Sequence, residues 1–210
     1  MRSLTHCLHR FQREGRLLWL LFRDNRPHSH GLWLCPQETA GQSYAVLRLH
    51  EAWARFCREL VLTSARGQVV TSTGAVVRRS PLVSQMRTPL VVLKASYPPS
   101  RQRKFLWEPK WFDAGEAIDA ARRLKISNFA EVSAGLGVAG HALDELRACR
   151  NFLAHRGRAS DDEFDIVRSN HSLYRFVAAE EALNNPVEGG VTLFEFWHHD
   201  ILRRARLAVQ

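Results

Sequence analysis

Two residue types suited to chemistry at a phosphate group lie close together between Arg150 and His155. An arginine guanidinium stays charged and can hold a phosphate through two parallel hydrogen bonds. A histidine imidazole gains and loses a proton near neutral pH and can therefore serve as an acid or a base. Asn151 adds an amide that can orient either group or the phosphate. This segment is the candidate for any chemistry that the chain performs.

A helix predicted from about Gly140 to His155 positions these residues. Arg150 lies four residues after Leu146, on or beside an apolar stripe, where a guanidinium is costly unless it is paired, faces water or meets a phosphate. His155 lies about 140° around the helix from Arg150, so only a groove or a second chain would bring both into one site. The stripe consists of Leu143, Leu146, Cys149 and Leu153.

The residues alone leave two interpretations of this helix open. In one, Arg150 meets a phosphate and His155 takes part in proton transfer. In the other, Arg150 pairs with a buried carboxylate such as Asp144 or Glu145, and His155 only ends the helix. The second interpretation needs no ligand, and spacing along one helix does not decide between them.

Apolar periodicity and capping residues predict helices along most of the chain, which indicates an all-α antiparallel bundle rather than a sheet protein. Three pairs have the spacing of a capping box, in which two residues cap each other: Asp113 with Glu116, Ser160 with Glu163, and Thr192 with Glu195. Residues 25–41, rich in Gly and Pro, predict a loop. The predicted helices run from Leu4 to about Asp24, Gln42 to about Ala65, Asp113 to about Leu124, from Asn128, from about Gly140 to His155, from Ser160, and from Thr192 toward Val209.

An insertion at about 67–107 differs from the rest, because no acidic residue lies between Leu60 and Trp107. Val69–Val70 and Leu90–Leu93, set among Gly and Pro, predict short strands or an irregular arm. One interpretation is a basic surface that tracks a phosphate backbone; an equally supported one is a solvated insertion. The candidate RNA-binding residues here are Arg78, Arg79, Arg101, Arg103 and Lys104.

Composition sets the class of protein. Thirty Lys plus Arg against 21 Asp plus Glu give a formal net charge of +9, which favours polyanionic partners such as nucleic acid. At 210 residues we expect one domain, 1–210, carrying the insertion. The apolar run Leu17 to Phe22 is too short to span a bilayer, and charged residues before it break any signal-peptide core. We therefore expect a cytoplasmic protein without a membrane partner.

The cysteines and histidines predict neither a cofactor nor a metal site. Cys7, Cys35, Cys57 and Cys149 lie far apart, as expected of buried thiols. None of the candidate metal-ligand groups is accompanied by a second pair of ligands at a spacing known from metal sites. They are His28 with His30, His198 with His199, and the cluster of His6, Cys7 and His9.

Gly135 to Gly140 spells G-x-G-x-x-G, a pattern found in dinucleotide-binding loops. Such a site needs a preceding strand and a parallel sheet. Asn128 to Ala134 instead predicts a helix, and no series of alternating strands and helices surrounds it. We therefore predict a turn between two helices.

The string from Glu145 to Gly157, ELRACRNFLAHRG, resembles the motif of the HEPN superfamily, the higher eukaryote and prokaryote nucleotide-binding helical domains. In that family an Arg, usually followed by a polar residue, precedes a His on the same helix, as Arg150, Asn151 and His155 do here. The resemblance covers about Gln42 to Asn184 without the insertion. It implies a HEPN-like helical bundle.

The resemblance also implies a metal-independent endoribonuclease, commonly a toxin or an antiviral defence effector, in which two protomers place their motifs at a shared cleft. By that resemblance His155 transfers a proton, Arg150 stabilises charge on the phosphoryl group and Asn151 orients His155 or the phosphate. Arg147 and Arg156 would bind the flanking RNA backbone. One chain offers one such histidine, whereas a twofold homodimer offers a base and an acid.

Two alternatives from other functional classes stay open. The first is a non-catalytic HEPN-like binding subunit whose partner is an antitoxin or a nucleotidyltransferase. The second is a basic nucleic-acid-binding regulator, in which the insertion matters and His155 does not. Steep salt dependence of binding without cleavage would favour the regulator.

Overall fold

The computed structural model describes residues 2–26, 36–83, 88–104, 107–174 and 179–210, and most of these are helical, as expected for the all-α class. Three two-residue strands, β1 Arg2–Ser3, β2 Val69–Val70 and β3 Val76–Val77, form a small sheet. The helices of the described residues are α1 Leu4–Asp24, α2 Pro36–Arg66, α3 Pro89–Ser96, α4 Pro99–Gln102, α5 Ala114–Arg123, α6 Phe129–Leu136, α7 Ala142–His155, α8 Arg158–Asn170, α9 Ala179–Ala182 and α10 Leu193–Ala208.

The predicted insertion is only partly β. The strand at Val69–Val70 is confirmed: β2 pairs antiparallel with β3 and parallel with β1. The strand predicted at Leu90–Leu93 is wrong, because these residues lie in α3. Thr88 caps this helix by accepting a hydrogen bond from the Val91 amide at 3.5 Å, and Pro89 occupies the first turn, where a missing N–H costs nothing. Capping and the burial of Leu93 outweigh the strand preference of the valines.

The second helix starts earlier than predicted, at Pro36 instead of Gln42. Residues 27–35 of the predicted loop lie outside the described residues. Gly41 belongs to the helix, although its residue type led to the prediction of a loop. A Cβ at this position would lie 2.5 Å from the side chain of Asn25, so close approach of that side chain explains the glycine.

Two of the three predicted capping pairs mark true helix starts. At α10, Thr192 Oγ1 accepts from the Glu195 amide at 3.3 Å, and the Glu195 carboxylate accepts from the Thr192 amide at 2.9 Å. At α5, Asp113 accepts from the Glu116 amide at 3.1 Å, but the Glu116 carboxylate accepts from the backbone of Lys110. The α10 box is therefore complete and the α5 box is half formed.

The start predicted at Ser160 is wrong, because α8 begins at Arg158. Arg156 adopts a left-handed conformation with φ of 44° and ends α7, and Gly157 then caps the next helix without a further linker. Ser160 occupies the third helical position, where its Oγ accepts from the Gly157 amide at 3.0 Å.

The described residues divide into two compact units with separate cores. The first unit lies within Met1–Gln12, Trp53–Ala139 and Arg203–Gln210, and the second lies within Arg13–Ala52 and Gly140–Leu202. The first contains a cluster of the aromatic rings of Phe11, Trp53 and Phe56, with centroids 5.0–6.1 Å apart. The second contains a stacked pair, Phe22 and Phe194, with centroids 4.2 Å apart. Aromatic burial of this kind is a large apolar contribution to each core.

The G-x-G-x-x-G stretch is confirmed as a turn between α6 and α7, with Gly135 inside α6. Gly135 is buried, and a Cβ there would lie 2.3 Å from the backbone nitrogen of Ala208 in α10. This glycine is therefore explained by close helix packing rather than by approach to a phosphate.

We predict that Gly135→Ala lowers the free energy of unfolding by about 2–4 kcal/mol, because one helix backbone must move away from the other. Urea unfolding followed by circular dichroism measures it. Gly115→Ala in α5 is the matched control, since its Cβ would meet only the flexible Asp113 side chain at 3.2 Å. We expect a change within about 1 kcal/mol for the control. Equal stability of the two variants would contradict the packing explanation.

Candidate functional site

The helix that carries the candidate motif is held by a buried carboxylate. Glu145 in α7 is 1% exposed and accepts three hydrogen bonds within the second unit. The donors are Trp197 Nε1 at 2.9 Å, Asn170 Nδ2 at 2.8 Å and His171 Nε2 at 3.0 Å. A buried carboxylate is tolerated when its lone pairs are satisfied in this way. Glu145 thereby fixes α7 to α10 and to the end of α8.

The hydrogen bonds of Glu145 test the interpretation in which Arg150 needs no ligand because it pairs with Asp144 or Glu145. Glu145 accepts from the three donors named above, and exposed Asp144 faces Arg147 at 3.5 Å. Within the part of the chain that the structure describes, Arg150 forms an ion pair with neither carboxylate. Its charge is therefore not neutralised by the residues that this interpretation named.

Arg150 instead contacts the amide next to it. Its Nη1 donates to Asn151 Oδ1 at 3.1 Å, and Asn151 Nδ2 donates to Glu163 Oε2 in α8 at 2.9 Å. The second bond fixes which end of the amide faces Arg150, so Asn151 presents its oxygen to the guanidinium. Asn151 was predicted to orient His155 or a phosphate; in the structure it orients Arg150, which is half-exposed.

A histidine that the sequence did not single out lies in the same electrostatic environment. His50 in α2 is 8% exposed, and its pKa is lowered to about 4 by burial and then by the positive charges of Arg150 and Arg147. The imidazole is therefore neutral at pH 7. No spacing rule connects positions a hundred residues apart, so only the fold could reveal it.

His155 is the last residue of α7 and is exposed. The two arginines predicted to bind flanking RNA have carboxylate partners: Arg147 faces Asp144 at 3.5 Å, and Arg156 Nη2 lies 2.6 Å from Glu180 Oε1. The Arg147 and Arg156 side chains are 43% and 67% exposed, and exposed ion pairs contribute little to stability. Arg147 can therefore exchange Asp144 for a phosphate at small cost, whereas Glu180, the partner of Arg156, is buried and would lose its counter-charge.

The five basic residues predicted in the insertion lie in the first unit and do not act as one set. Arg101 is half-buried, pairs with Glu116 at 2.6 Å and stacks over Tyr97 at 4.2 Å, so it has a structural role. Arg79 donates to the backbone oxygen of Arg66 at 3.3 Å. The exposed members of the set are Arg78, Arg79, Arg103 and Lys104.

The cysteines of the described residues, Cys7, Cys57 and Cys149, are buried free thiols, as predicted; Cys35 lies outside the described residues. Burial raises the pKa of all three thiols, which makes them poor nucleophiles. Within the described residues, no group of three or more His, Cys, Asp or Glu side chains is placed to hold a metal ion. His28 and His30 lie outside those residues.

No protein-family model, curated protein or solved structure gives a significant match to this chain. Among the described residues, no helix is both long enough and apolar enough to cross a bilayer.

We predict that Glu145→Ala lowers the free energy of unfolding by about 2–4 kcal/mol, because the buried indole N–H of Trp197 loses its acceptor. Glu145→Gln should cost less, since its amide oxygen still accepts and the Asn170 amide can turn. Glu163→Ala removes an exposed carboxylate as the matched control, with an expected change within about 1 kcal/mol. Urea unfolding ranks the variants, and a Glu145→Ala protein as stable as this control would refute the anchoring role.

We predict that Arg150→Met raises the pKa of His50, because removal of a nearby positive charge makes protonation easier. The pKa should stay below 6.5, since burial is the larger cause of its depression. Imidazole NMR signals followed against pH measure the change. Arg158→Met, which removes an exposed positive charge that does not act on His50, is the matched control and should leave the titration unchanged. Identical titrations in both variants would place Arg150 away from His50.

Proposed function

We propose that this chain is a metal-independent endoribonuclease of the HEPN type that acts as a toxin or in antiviral defence. The observation that carries the proposal is the state of Arg150. Its half-exposed guanidinium is held by the neutral amide of Asn151 and, within the described residues, is not paired with a carboxylate. A cation oriented in this way keeps its charge for an anionic ligand.

The chemistry requires two proton transfers and one stabilised anion. A base removes the proton of the RNA 2′-hydroxyl, and the oxygen attacks the adjacent phosphorus. The bond from phosphorus to the 5′-oxygen breaks, and an acid protonates that leaving oxygen. His155 supplies the imidazole, and Arg150 stabilises charge on the non-bridging oxygens. The products are a 2′,3′-cyclic phosphate and a 5′-hydroxyl.

The need for both a base and an acid favours a homodimer. One chain offers one exposed imidazole in the motif, and a twofold axis through the site would place two histidines and two arginines around one phosphodiester. In this proposal the chain is a single HEPN-like antiparallel bundle that works on cytoplasmic RNA. Arg147 and Arg156 bind the flanking phosphates, Arg147 in exchange for its exposed carboxylate partner Asp144.

We expect the purified chain to cleave RNA in the presence of EDTA and to leave 2′,3′-cyclic phosphate ends. His155→Ala should lower the rate about 10²–10⁴-fold by loss of proton transfer. Arg150→Ala should lower it about 10²–10³-fold by loss of phosphoryl stabilisation. Asn151→Ala should have a smaller effect of about tenfold, because it frees the guanidinium without removing it. Electrophoresis and end-group analysis of a labelled RNA measure these outcomes.

Arg158→Ala is the matched control, because it removes an exposed arginine just after the motif, and it should cleave like the wild type. Wild-type rates in the His155→Ala and Arg150→Ala proteins would overturn the mechanism, as would complete inhibition by EDTA. Specific activity should rise with protein concentration through the range in which dimers form. RNA that is bound and never cleaved would instead favour the binding subunit or the regulator.

A further inference from the structure

The first unit contains a cleft that the proposed nuclease chemistry does not use. Its volume is about 1270 Å³, larger than the roughly 300–1,000 Å³ of most small-ligand sites. It is lined by the beginning of α1, one face of the second half of α2, and the segments around β2 and β3. We call it the arginine cleft after five lining residues, Arg10, Arg55, Arg58, Arg66 and Arg79.

The arginines of this cleft outnumber the nearby carboxylates. Arg10 pairs with Glu59, the acidic residue of the lining. Arg58 pairs with Glu108 at 3.1 Å; burial alone would raise the pKa of this carboxyl, but hydrogen bonds from Arg58 and Trp111 outweigh burial and lower it. The lining thus has five arginines and one acidic residue, and Arg66 and Arg79 are exposed at one end of it. An excess of positive charge in a concave site attracts anions.

The arginine at the far end of the cleft is placed there by a constraint on the backbone. Gly67 has a φ of 67°, and a Cβ on it would lie 2.1 Å from the backbone nitrogen of Arg79. Only a glycine therefore lets the chain after β3 approach the end of α2 this closely. The Ser80 amide donates to the Ala65 oxygen at 3.0 Å and holds this contact. Arg66 and Arg79 are adjacent as a result.

Neutralisation of the α2 helix dipole does not explain the whole set. Cations at the last turn of a helix interact favourably with its carbonyl end, which accounts for Arg66 and Arg79. Arg55 lies eleven residues before Arg66, about 16 Å along the helix axis, where this effect has vanished. The arginines of the lining are thus spread over about 16 Å of α2, a length that suits an extended anion better than a single phosphate.

The lining also indicates which part of a nucleic acid would be bound. Among the described lining residues there is no Phe, Tyr or Trp on which a base could stack. Arginines alone recognise the phosphate backbone, which gives affinity without sequence preference. A concave groove suits a single strand, whose phosphates can follow the arginine row.

We propose that the arginine cleft binds single-stranded nucleic acid through its phosphodiester backbone, independently of sequence. The choice of RNA over DNA rests on the proposed nuclease function, whereas affinity of the cleft for a phosphodiester strand does not. The cleft supplies affinity only, and His155 is not required for it.

The test measures binding of the full-length protein to a fluorescent 12-nucleotide 2′-O-methyl oligouridylate, which cannot be cleaved by 2′-hydroxyl attack. Fluorescence anisotropy is recorded across a range of KCl concentrations. Arg66→Ala combined with Arg79→Ala should weaken binding about tenfold near 0.15 M salt. It should also reduce the slope of log affinity against log salt by about 1.4, or about 0.7 for each lost phosphate contact.

Arg13→Ala combined with Arg16→Ala is the matched control, because it removes the same charge from exposed positions of α1 outside the cleft lining. It should bind within about twofold of the wild type, since neither side chain lines the cleft and exposed charges are screened by salt. His155→Ala should bind like the wild type. Normal binding by a wild-type protein that cleaves no RNA would therefore refute the nuclease proposal and leave the cleft proposal standing.

Three results would overturn the cleft proposal. The first is equal binding by the cleft variant and its matched control. The second is competition by inorganic phosphate as effective as that by the oligonucleotide at equal phosphate concentration, which would indicate a small-anion site. The third is equal competition by polyglutamate, which would indicate an acidic protein partner.

Photocross-linking of the wild-type protein to a 4-thiouridine probe gives a readout that does not depend on the folding of a variant. The proposal expects cross-linked peptides from residues 3–10 or 55–69. Cross-links confined to other segments would overturn it.

Discussion

The second unit depends on how it satisfies one buried carboxylate. Glu145 has no access to water and therefore needs donors, which come from Asn170, His171 and Trp197. These bonds fix the rotation of α7 about its axis. Arg150, five residues later, is then turned about 140° away from the buried glutamate. The constraint that stabilises α7 is thus the same one that turns the arginine away from this buried carboxylate.

That separation gives the site its electrostatic character. Arg147 and Arg150 both act on His50, whose depressed pKa of about 4 keeps it from adding a third positive charge at neutral pH. Both cations make protonation of this buried imidazole unfavourable. Asn151 holds Arg150 without neutralising it, which a carboxylate at the same position would do. The phosphate ligand of the proposed function would therefore meet a guanidinium that keeps its charge.

Local signals account for what the sequence predicts well. The start of α10 follows from Thr192 and Glu195 because a capping box involves only neighbouring residues, and α1 follows from its apolar spacing. Prediction from the sequence fails where residues far apart in the chain determine a local feature. Position 41 is a glycine because Asn25 approaches it closely inside a helix, and the donors of Glu145 and the depressed pKa of His50 arise from residues far apart in the chain. The motif residues can be found from the sequence, but their partners cannot.

The arginine cleft and the motif residues Arg150 and His155 would contribute differently to the proposed reaction, because they offer different groups. The arginine cleft offers guanidinium groups and does not include His155. It can therefore bind a strand equally well before and during cleavage. Such uniform binding does not accelerate the chemical step. In the proposed nuclease, Arg150 and His155 offer charge and a proton where charge develops on the scissile group, so their contribution is greatest in the transition state. Loss of cleft arginines should therefore appear in KM, and loss of Arg150 or His155 in kcat. A chain with an excess of arginine can thus contain both affinity and chemistry without using the same residues for both.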